Sequence, residues 1–237
     1  MPGARDLKRR ILSVKNTQQT TRAMKMVSAA KLRRAQDAIL NQRPYAKRIG
    51  TLVHLLSSLP EVTLESPLLK KERIGLSEFK KTMLLVVITS DRGLCGGFNS
   101  SAIKMAMRWV HAHSEYYKSI ELAFVGKKGY EYFKNKKFKI GPFYSEFSGK
   151  VTFAKAKGLA DRLIEKYLNE DLDEVKVIYN EFKNAILQKP IVEDFLPVHS
   201  ISQTFSAGEF AVPVSPEKKP EELPLYLVKP NIETILQ

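Results

Sequence analysis

Cysteine is almost absent from this 237-residue chain, which contains Cys95 alone. One cysteine cannot close a disulfide within the chain, so a disulfide-stapled secreted domain is excluded and a reducing compartment is predicted. The sequence also has no run of 18 apolar residues and no apolar signal segment, because Met1 to Ala4 lead straight into charged sequence. We therefore expect a soluble or peripheral protein that does not span a membrane.

Glycine is missing from residue 4 to residue 49, and Pro44 is the only helix breaker in that stretch. Good helix formers dominate there, so the sequence predicts one helix from Asp6 to Leu59, with a length of roughly 75 Å. A helix of that length cannot fold back inside one compact domain. We call residues 1–59 the arm.

Acidic residues are scarce in the arm. Before residue 49 the chain has thirteen Lys and Arg residues and only two acids, Asp6 and Asp37. This segment therefore carries +11 of the net charge of +14. This helix is expected to have acidic or polar partners. Basic side chains also suit phosphate binding, but the arm has no aromatic residue before Tyr45 on which a base could stack.

Apolar side chains of the arm follow a heptad pattern that is interrupted in its middle. The pattern is carried by Leu7, Ile11, Val14, Leu32, Ala35 and Ile39. Between its two ends, polar residues occupy the core positions from Gln18 to Ser28, which we call the polar waist. A continuous two-stranded zipper is not predicted, and the waist has too few bulky apolar residues for a membrane-surface helix.

The rest of the chain alternates strand and helix patterns. Strands are predicted at 82–89, 120–125, 139–144, 174–182, 191–200 and 225–228. Helices are predicted at 98–117, after the GKKG turn at 126–129 to about residue 135, and at 152–168. The strand at 191–200 should be antiparallel because its connection is short. Alternating elements predict an α/β domain with a Rossmann-like, mostly parallel sheet flanked by helices. The connector 60–81 and the segment 213–224 are predicted to contain no regular helix or strand.

No motif in the chain satisfies the requirements of a catalytic or cofactor site. Glycines 93, 96 and 97 lack the G-x-G-x-x-G spacing, and the GKKG run at 126–129 lacks the first glycine and the Ser or Thr of a phosphate loop. Cys95 would need a nearby base to act as a nucleophile. His111 and His113 lie two residues apart on one predicted helix and therefore point in different directions, so they form neither a convincing base nor a metal-binding pair. We predict no catalytic residues, no metal and no cofactor.

Two longer motifs resemble the gamma-subunit family of the F-type, proton-translocating ATP synthases. These are NTQQTTRAMKMVSAAKLRRAQ, at 16–36, and SDRGLCGGFN, at 90–99, with weaker similarity at 126–129 and 177–197. Thr20 stands where the family usually has Ile, and Lys229 where an acidic residue is common. The family continues into a C-terminal helix that pairs with the N-terminal one, and this chain ends at Gln237 before it.

The resemblance implies a non-catalytic central-stalk rotor subunit. Its arm would turn inside the ring of alpha and beta subunits, and its α/β domain, 82–200, would contact the epsilon subunit and the membrane c-ring at the cytoplasmic face of a bacterial membrane. Residues 201–237 would form a loop and a last strand. Implied subunit contacts are Met24, Lys25, Val27, Lys31, Arg33, Arg34 and Gln36; the implied strand-to-helix turn contains Asp91, Arg92, Gly93, Cys95, Gly96 and Gly97. The alternative function is a basic nucleic-acid-binding α/β protein with a helical arm.

Overall fold

A computed structural model describes residues 3–57, 67–69, 81–147, 149, 151–169, 172–184 and 186–198. The chain divides into two compact units, residues 1–52 and 53–237. The predicted boundaries at 59, 81 and 200 border segments outside the described residues, so they stay predictions. The predicted strand at 225–228 and the irregular segment 213–224 also lie outside them.

The predicted arm helix is present as α1, Ala4–Ser57, which runs without interruption through Pro44. Its 54 residues correspond to a length of about 80 Å. Asp6 lies in the first turn, where a negative charge interacts favourably with the helix dipole. The side chains of Leu7, Ile11 and Val14 are each at least half exposed, so this unit has no hydrophobic core of its own among its described residues.

The second unit contains a five-stranded sheet in the order β3-β2-β1-β4-β5, with only β5 antiparallel to its neighbour. The strands are β1 (Lys81–Ile88), β2 (Tyr117–Val125), β3 (Lys139–Tyr144), β4 (Glu174–Phe182) and β5 (Gln188–Leu196). The helices are α2 (Phe98–His113), α3 (Lys127–Phe133) and α4 (Phe153–Asn169). The predicted Rossmann-like, mostly parallel sheet with flanking helices is therefore confirmed.

The predicted bounds of three elements were wrong. The predicted helix 98–117 ends at His113, because a turn closes there with a hydrogen bond from Tyr116 N to the His113 carbonyl oxygen. Tyr117 instead opens β2, three residues before its predicted start, and pairs with Lys81. β5 begins at Gln188 rather than at residue 191, because its polar first residues continue the hairpin with Phe182.

Hydrophobic residues cover both faces of the sheet. On one face Met83, Leu85 and Val87 pack with α2 and α3, and on the other Leu84 and Val86 pack with α4. All five of these β1 side chains are at most 1% exposed. A strand buried on both faces explains why its sequence is continuously apolar rather than alternating.

Ion pairs at two half-buried carboxylates join neighbouring strands, and one of these carboxylates also joins the sheet to α4. Glu121 of β2 contacts Lys166 of α4 at 3.1 Å and Lys139 of β3 at 3.3 Å. Glu174 at the start of β4 contacts Lys81 at 2.8 Å and accepts a 2.7 Å hydrogen bond from the Tyr117 hydroxyl. Burial acts to raise the pKa of Glu174, but the bonds from Lys81 and Tyr117 outweigh it and hold that pKa below its usual value.

Alkaline pH should destabilise the sheet domain, and replacing Tyr167 with Phe should reduce this sensitivity. Burial, with help from Asp173, raises the pKa of Tyr167 from 10.0 to about 12. Because this pKa is higher in the folded state than in the unfolded state, the stabilisation from burying neutral Tyr167 is fully present below pH 10. It is lost as the pH rises from 10 to 12. We expect Tyr167→Phe to remove roughly 2 kcal/mol of the stability change across this window.

Urea unfolding followed by the fluorescence of Trp109, the single tryptophan, measures this effect. Tyr45→Phe, in the other unit, is the control and should leave the pH dependence of the sheet domain unchanged. An equal loss of stability in the Tyr167→Phe variant and the natural protein would show that Tyr167 does not carry the effect.

Candidate functional site

The predicted strand-to-helix turn lies between the end of β1 and the start of α2. Residues 92–97 are exposed, and Asp91 is half-buried. Two residues have positive φ, Leu94 at 59° and Gly96 at 57°. Positive φ is unusual for a leucine, and the Leu94 side chain is fully exposed. The loop therefore holds a bulky apolar side chain in solvent at some cost in backbone strain.

Hydrogen bonds from Asn99 and Ser90 hold this turn together. The Asn99 carboxamide oxygen accepts from Ser90 N at 2.9 Å, and its Nδ2 donates to the Arg92 carbonyl oxygen at 3.2 Å. The Ser90 hydroxyl donates to the same Arg92 oxygen at 2.6 Å. The polar groups on the inside of the turn are thus engaged by the protein itself.

A second set of bonds ties the turn to the start of α3. Lys127 N donates to Asp91 Oδ1 at 2.9 Å, and Lys128 N donates to the Ser90 carbonyl oxygen at 3.1 Å. Gly129 N donates to the buried Thr89 hydroxyl at 2.9 Å. Three successive backbone amides at the helix N-terminus therefore have protein acceptors, and one of these acceptors is a carboxylate.

This arrangement differs from a phosphate-binding loop. In open α/β sheets, ligands bind outside the carboxyl ends of the strands, and a phosphate sits on free amides at a helix N-terminus. Here Asp91 occupies the position of the anion at α3. The geometry favours the interpretation that residues 90–97 and 126–129 connect strands to helices rather than bind a nucleotide.

Cys95 is exposed and lies close to Asn99, whose Nδ2 is 3.1 Å from the sulfur. The two histidines whose side chains the structure describes, His111 and His113, are in the last turn of α2, whereas Cys95 precedes its first residue. A helix of 16 residues is about 24 Å long, so neither imidazole reaches the thiol. Across the described ranges, no three His, Cys, Asp or Glu side chains form a group that could hold a metal ion.

The predicted subunit contacts lie on the arm and are open to solvent. Met24, Lys25, Val27, Lys31, Arg33 and Arg34 are all exposed, and Gln36 is half-buried. In the polar waist, the hydroxyls of Thr20 and Thr21 donate to the carbonyl oxygens four residues earlier, at 3.0 and 2.6 Å. The hydroxyls are satisfied within the helix, so they do not require partners from a surrounding wall.

Sequence reasoning missed the residues that shape the turn. Thr89 and Asn99 were not singled out, although they supply its central acceptors. A Thr at the end of a buried strand and an Asn in the first turn of the next helix were the available signals. Asn180 of β4 was also missed; its Nδ2 donates to the Phe98 carbonyl oxygen at 2.8 Å and connects a second strand to the start of α2.

Comparison with known proteins gives one consistent result. A family model described as ATP synthase matches residues 3–237. ATP synthase gamma chains from Geotalea uraniireducens and Heliobacterium modesticaldum are 42% and 38% identical to the chain over 84% and 100% of its length. A third, from Bdellovibrio bacteriovorus, is 37% identical over 98%. The chain spans 66% to 78% of the length of these relatives.

A solved structure of similar fold belongs to the same kind of assembly. The central stalk and c-ring structure of the Tetrahymena thermophila mitochondrial ATP synthase contains a chain that is 30% identical and superimposes with a TM-score of 0.55. The match covers 75% of this chain and 72% of that one. Within the described part of the present chain, no helix is long and apolar enough to cross a membrane.

Gly126→Ala should destabilise the sheet domain strongly, whereas Gly158→Ala should not. Gly126 has φ of 92°, and a Cβ there would overlap the carbonyl oxygen of Thr89. We expect a loss of about 3 kcal/mol or more, from strain and overlap together. Gly158 lies inside α4 with open space around it, so alanine should stabilise by about 0.5 to 1 kcal/mol. Urea unfolding of both variants measures these changes. Equal stabilities of the two variants would contradict the close approach of Gly126 to the Thr89 carbonyl oxygen.

Proposed function

The chain belongs to the ATP synthase gamma-chain family, and we propose that it acts as the central-stalk rotor subunit of such an enzyme. The carrying observation is the match of the ATP synthase family to residues 3–237, across both the long helix and the sheet domain. In this function the arm turns inside the ring of catalytic alpha and beta subunits. Rotation of an off-centre helix forces each catalytic site through different affinities in turn.

The shape of the arm suits the transmission of torque. A segment that transmits rotation over a long distance has to be stiff, and α1 continues for 54 residues without a break. A rotating surface also has to avoid strong attachment at any one angle. Threonine hydroxyls in and beside the polar waist donate to carbonyl oxygens of the same helix, so they need no hydrogen-bond partner from another subunit. The side chains of Ser28, Ala29 and Ala30 are small.

Charge supports a contact between the arm and acidic loops of the catalytic subunits. Arg33 and Arg34 are exposed, as are Lys31 and Lys25, which precede Arg33 by two and eight residues. Near these cations the only acid in the arm is Asp37. Complementary acidic loops would guide and align the arm when it enters the ring.

The sheet domain supplies the base of the rotor in this proposal. It would contact the epsilon subunit and the membrane c-ring, which in a bacterial cell places it at the cytoplasmic face of the membrane as a peripheral component. The chain would contribute no catalytic group and no cofactor site. Two observations support this part of the proposal. The backbone amides at the start of α3 already donate to protein acceptors, and Cys95 is far from His111 and His113.

Reversal of Arg33 and Arg34 to Glu should weaken association with the catalytic ring. Two rim contacts become repulsive, so we expect roughly a tenfold lower affinity at low salt, mostly through slower association. The matched control is Lys47→Glu with Arg48→Glu, which changes the net charge of the arm by the same amount. Surface plasmon resonance on an immobilised alpha-beta ring measures both. Equal effects of the two double variants would mean that general charge, and not this site, guides assembly.

The free arm should exchange its amide hydrogens quickly, and the assembled arm slowly. Its apolar side chains are exposed, and a single helix gains little stability from helix propensity alone. We expect rapid exchange over residues 7–39 in the free chain and strong protection when the alpha-beta ring surrounds the arm. Hydrogen exchange with mass spectrometry reports both states, and the sheet domain serves as the internal reference. Slow exchange of residues 7–39 in the free chain would contradict a requirement for the ring.

A further inference from the structure

A group of basic side chains lies at the edge of the sheet where β2 and β3 begin. The group consists of Arg108 near the end of α2, Lys118 in β2, and Lys134, Lys136 and Lys137 between α3 and β3. We call these five residues the cationic edge. All five are exposed, and none of them forms an ion pair with another described residue.

The fold brings these residues to one place. Parallel strands start at the same edge of a sheet, and each preceding helix returns the chain to that edge. The ring of His111, in the last turn of α2, lies 6.2 Å from the ring of Phe138, which precedes β3. Phe138 also packs edge-on against Phe133 of the core at 5.3 Å. The loop that carries the three lysines is thus anchored to the sheet domain.

Nearby acids do not neutralise the cationic edge. Between residues 108 and 137 the acids are Glu115, Glu121 and Glu131. Glu121 is already held by Lys139 and Lys166, and Glu131 by Lys127 and Lys128. Among residues 108–137 this leaves Glu115 to face the five cations. At the start of the neighbouring β4, Glu174 is held by Lys81 and Asp173 accepts a hydrogen bond from Thr82 N, so the cationic edge keeps a positive excess.

Aromatic residues are interleaved with the cations. Lys136 Nζ lies 3.9 Å from the centroid of the Tyr132 ring. Tyr116, in the turn between α2 and β2, is 72% exposed. Tyrosines beside lysines are typical of surfaces that meet the headgroup region of a bilayer, where an apolar ring and a polar hydroxyl are both accommodated.

We propose that the cationic edge binds the headgroup phosphates of an anionic phospholipid surface. The preference for a membrane over a nucleic acid rests on the proposed rotor function, in which the sheet domain stands next to a membrane ring. Clusters of four to eight Lys and Arg near a bilayer are sufficient to attract anionic lipids, and each contributes about a fivefold gain in binding. The contact would hold the base of the stalk close to the membrane without inserting it.

The single cysteine allows a position-specific test on the full chain. Asn135 lies between the lysines of the loop and is exposed. A polarity-sensitive dye is attached at this position in a Cys95→Ser, Asn135→Cys variant, and in the natural chain at Cys95. Cys95 follows the carboxyl end of β1, at the opposite edge of the sheet. Each labelled chain is titrated with vesicles of phosphatidylcholine alone and of phosphatidylcholine with phosphatidylglycerol.

We expect the dye at 135 to shift only with phosphatidylglycerol vesicles, and the dye at Cys95 not to shift. Adding Lys134→Gln, Lys136→Gln and Lys137→Gln should raise the lipid concentration needed on the order of 100-fold. The matched control, Lys8→Gln with Arg9→Gln and Arg10→Gln, removes the same charge from the arm and should leave the signal at 135 in place. All substituted side chains are exposed, and circular dichroism checks that the fold is kept.

Three results would overturn the proposal: no shift at 135 with anionic vesicles, an equal shift at 135 and 95, or loss of the shift in the arm variant only. A response of the dye at 135 to duplex DNA at lower concentration than to vesicles would assign the edge to nucleic acid instead. Binding to the alpha-beta ring is measured separately with the same variants. A chain that enters the ring but ignores vesicles refutes the lipid contact alone, and a chain that binds vesicles but not the ring refutes the rotor function.

Discussion

Burial of β1 on both faces is the constraint on which the sheet domain depends. Its side chains from Met83 to Val87 point alternately into two hydrophobic cores, one with α2 and α3 and the other with α4. Each buried aliphatic side chain contributes roughly 1.5 to 3 kcal/mol relative to exposure. Because both cores share this one strand, neither layer of helices can separate from the sheet without exposing it. The position of the turn at 90–97 and of α3 follows from where β1 ends.

The arm lacks any comparable source of stability. Its apolar residues from Leu7 to Leu52 are exposed, and its charge is almost entirely of one sign. Propensity alone gives a helix little stability, and repulsion between like charges reduces it further. The two units therefore differ: the sheet domain has its own hydrophobic core, whereas the described part of the arm has none. In the proposed function, contacts with the catalytic ring would stabilise the arm.

Elements with strong local patterns were the ones predicted well from the sequence. The strand at 174–182 has the predicted bounds, because its residues alternate between apolar and polar. The strand at 139–144 also has its predicted bounds, although its local pattern is weaker. The end of α2 and the start of β2 were misplaced, because Glu115, Tyr116 and Tyr117 are compatible with a helix. Tyr117 belongs to β2 because it pairs with Lys81 and its hydroxyl donates to Glu174. Both partners are distant in sequence, so local patterns do not show them. The network of Thr89, Asn99 and Gly129 was missed for the same reason.

Rigidity at the base follows from how the sheet is tied to α4. Lys166 and Glu121 are each about 15% exposed, so their 3.1 Å contact is screened by water much less than a surface pair. Glu121 also contacts Lys139 of β3, and a Cβ at Gly141 would overlap the Glu121 side chain, so alanine there would displace this carboxylate from its present position. Replacement of Glu121 would remove both ion pairs at once, because its carboxylate contacts Lys139 and Lys166 together. These pairs resist sliding of α4 across β2 and β3, and torque that enters one layer of the domain is therefore passed to the others.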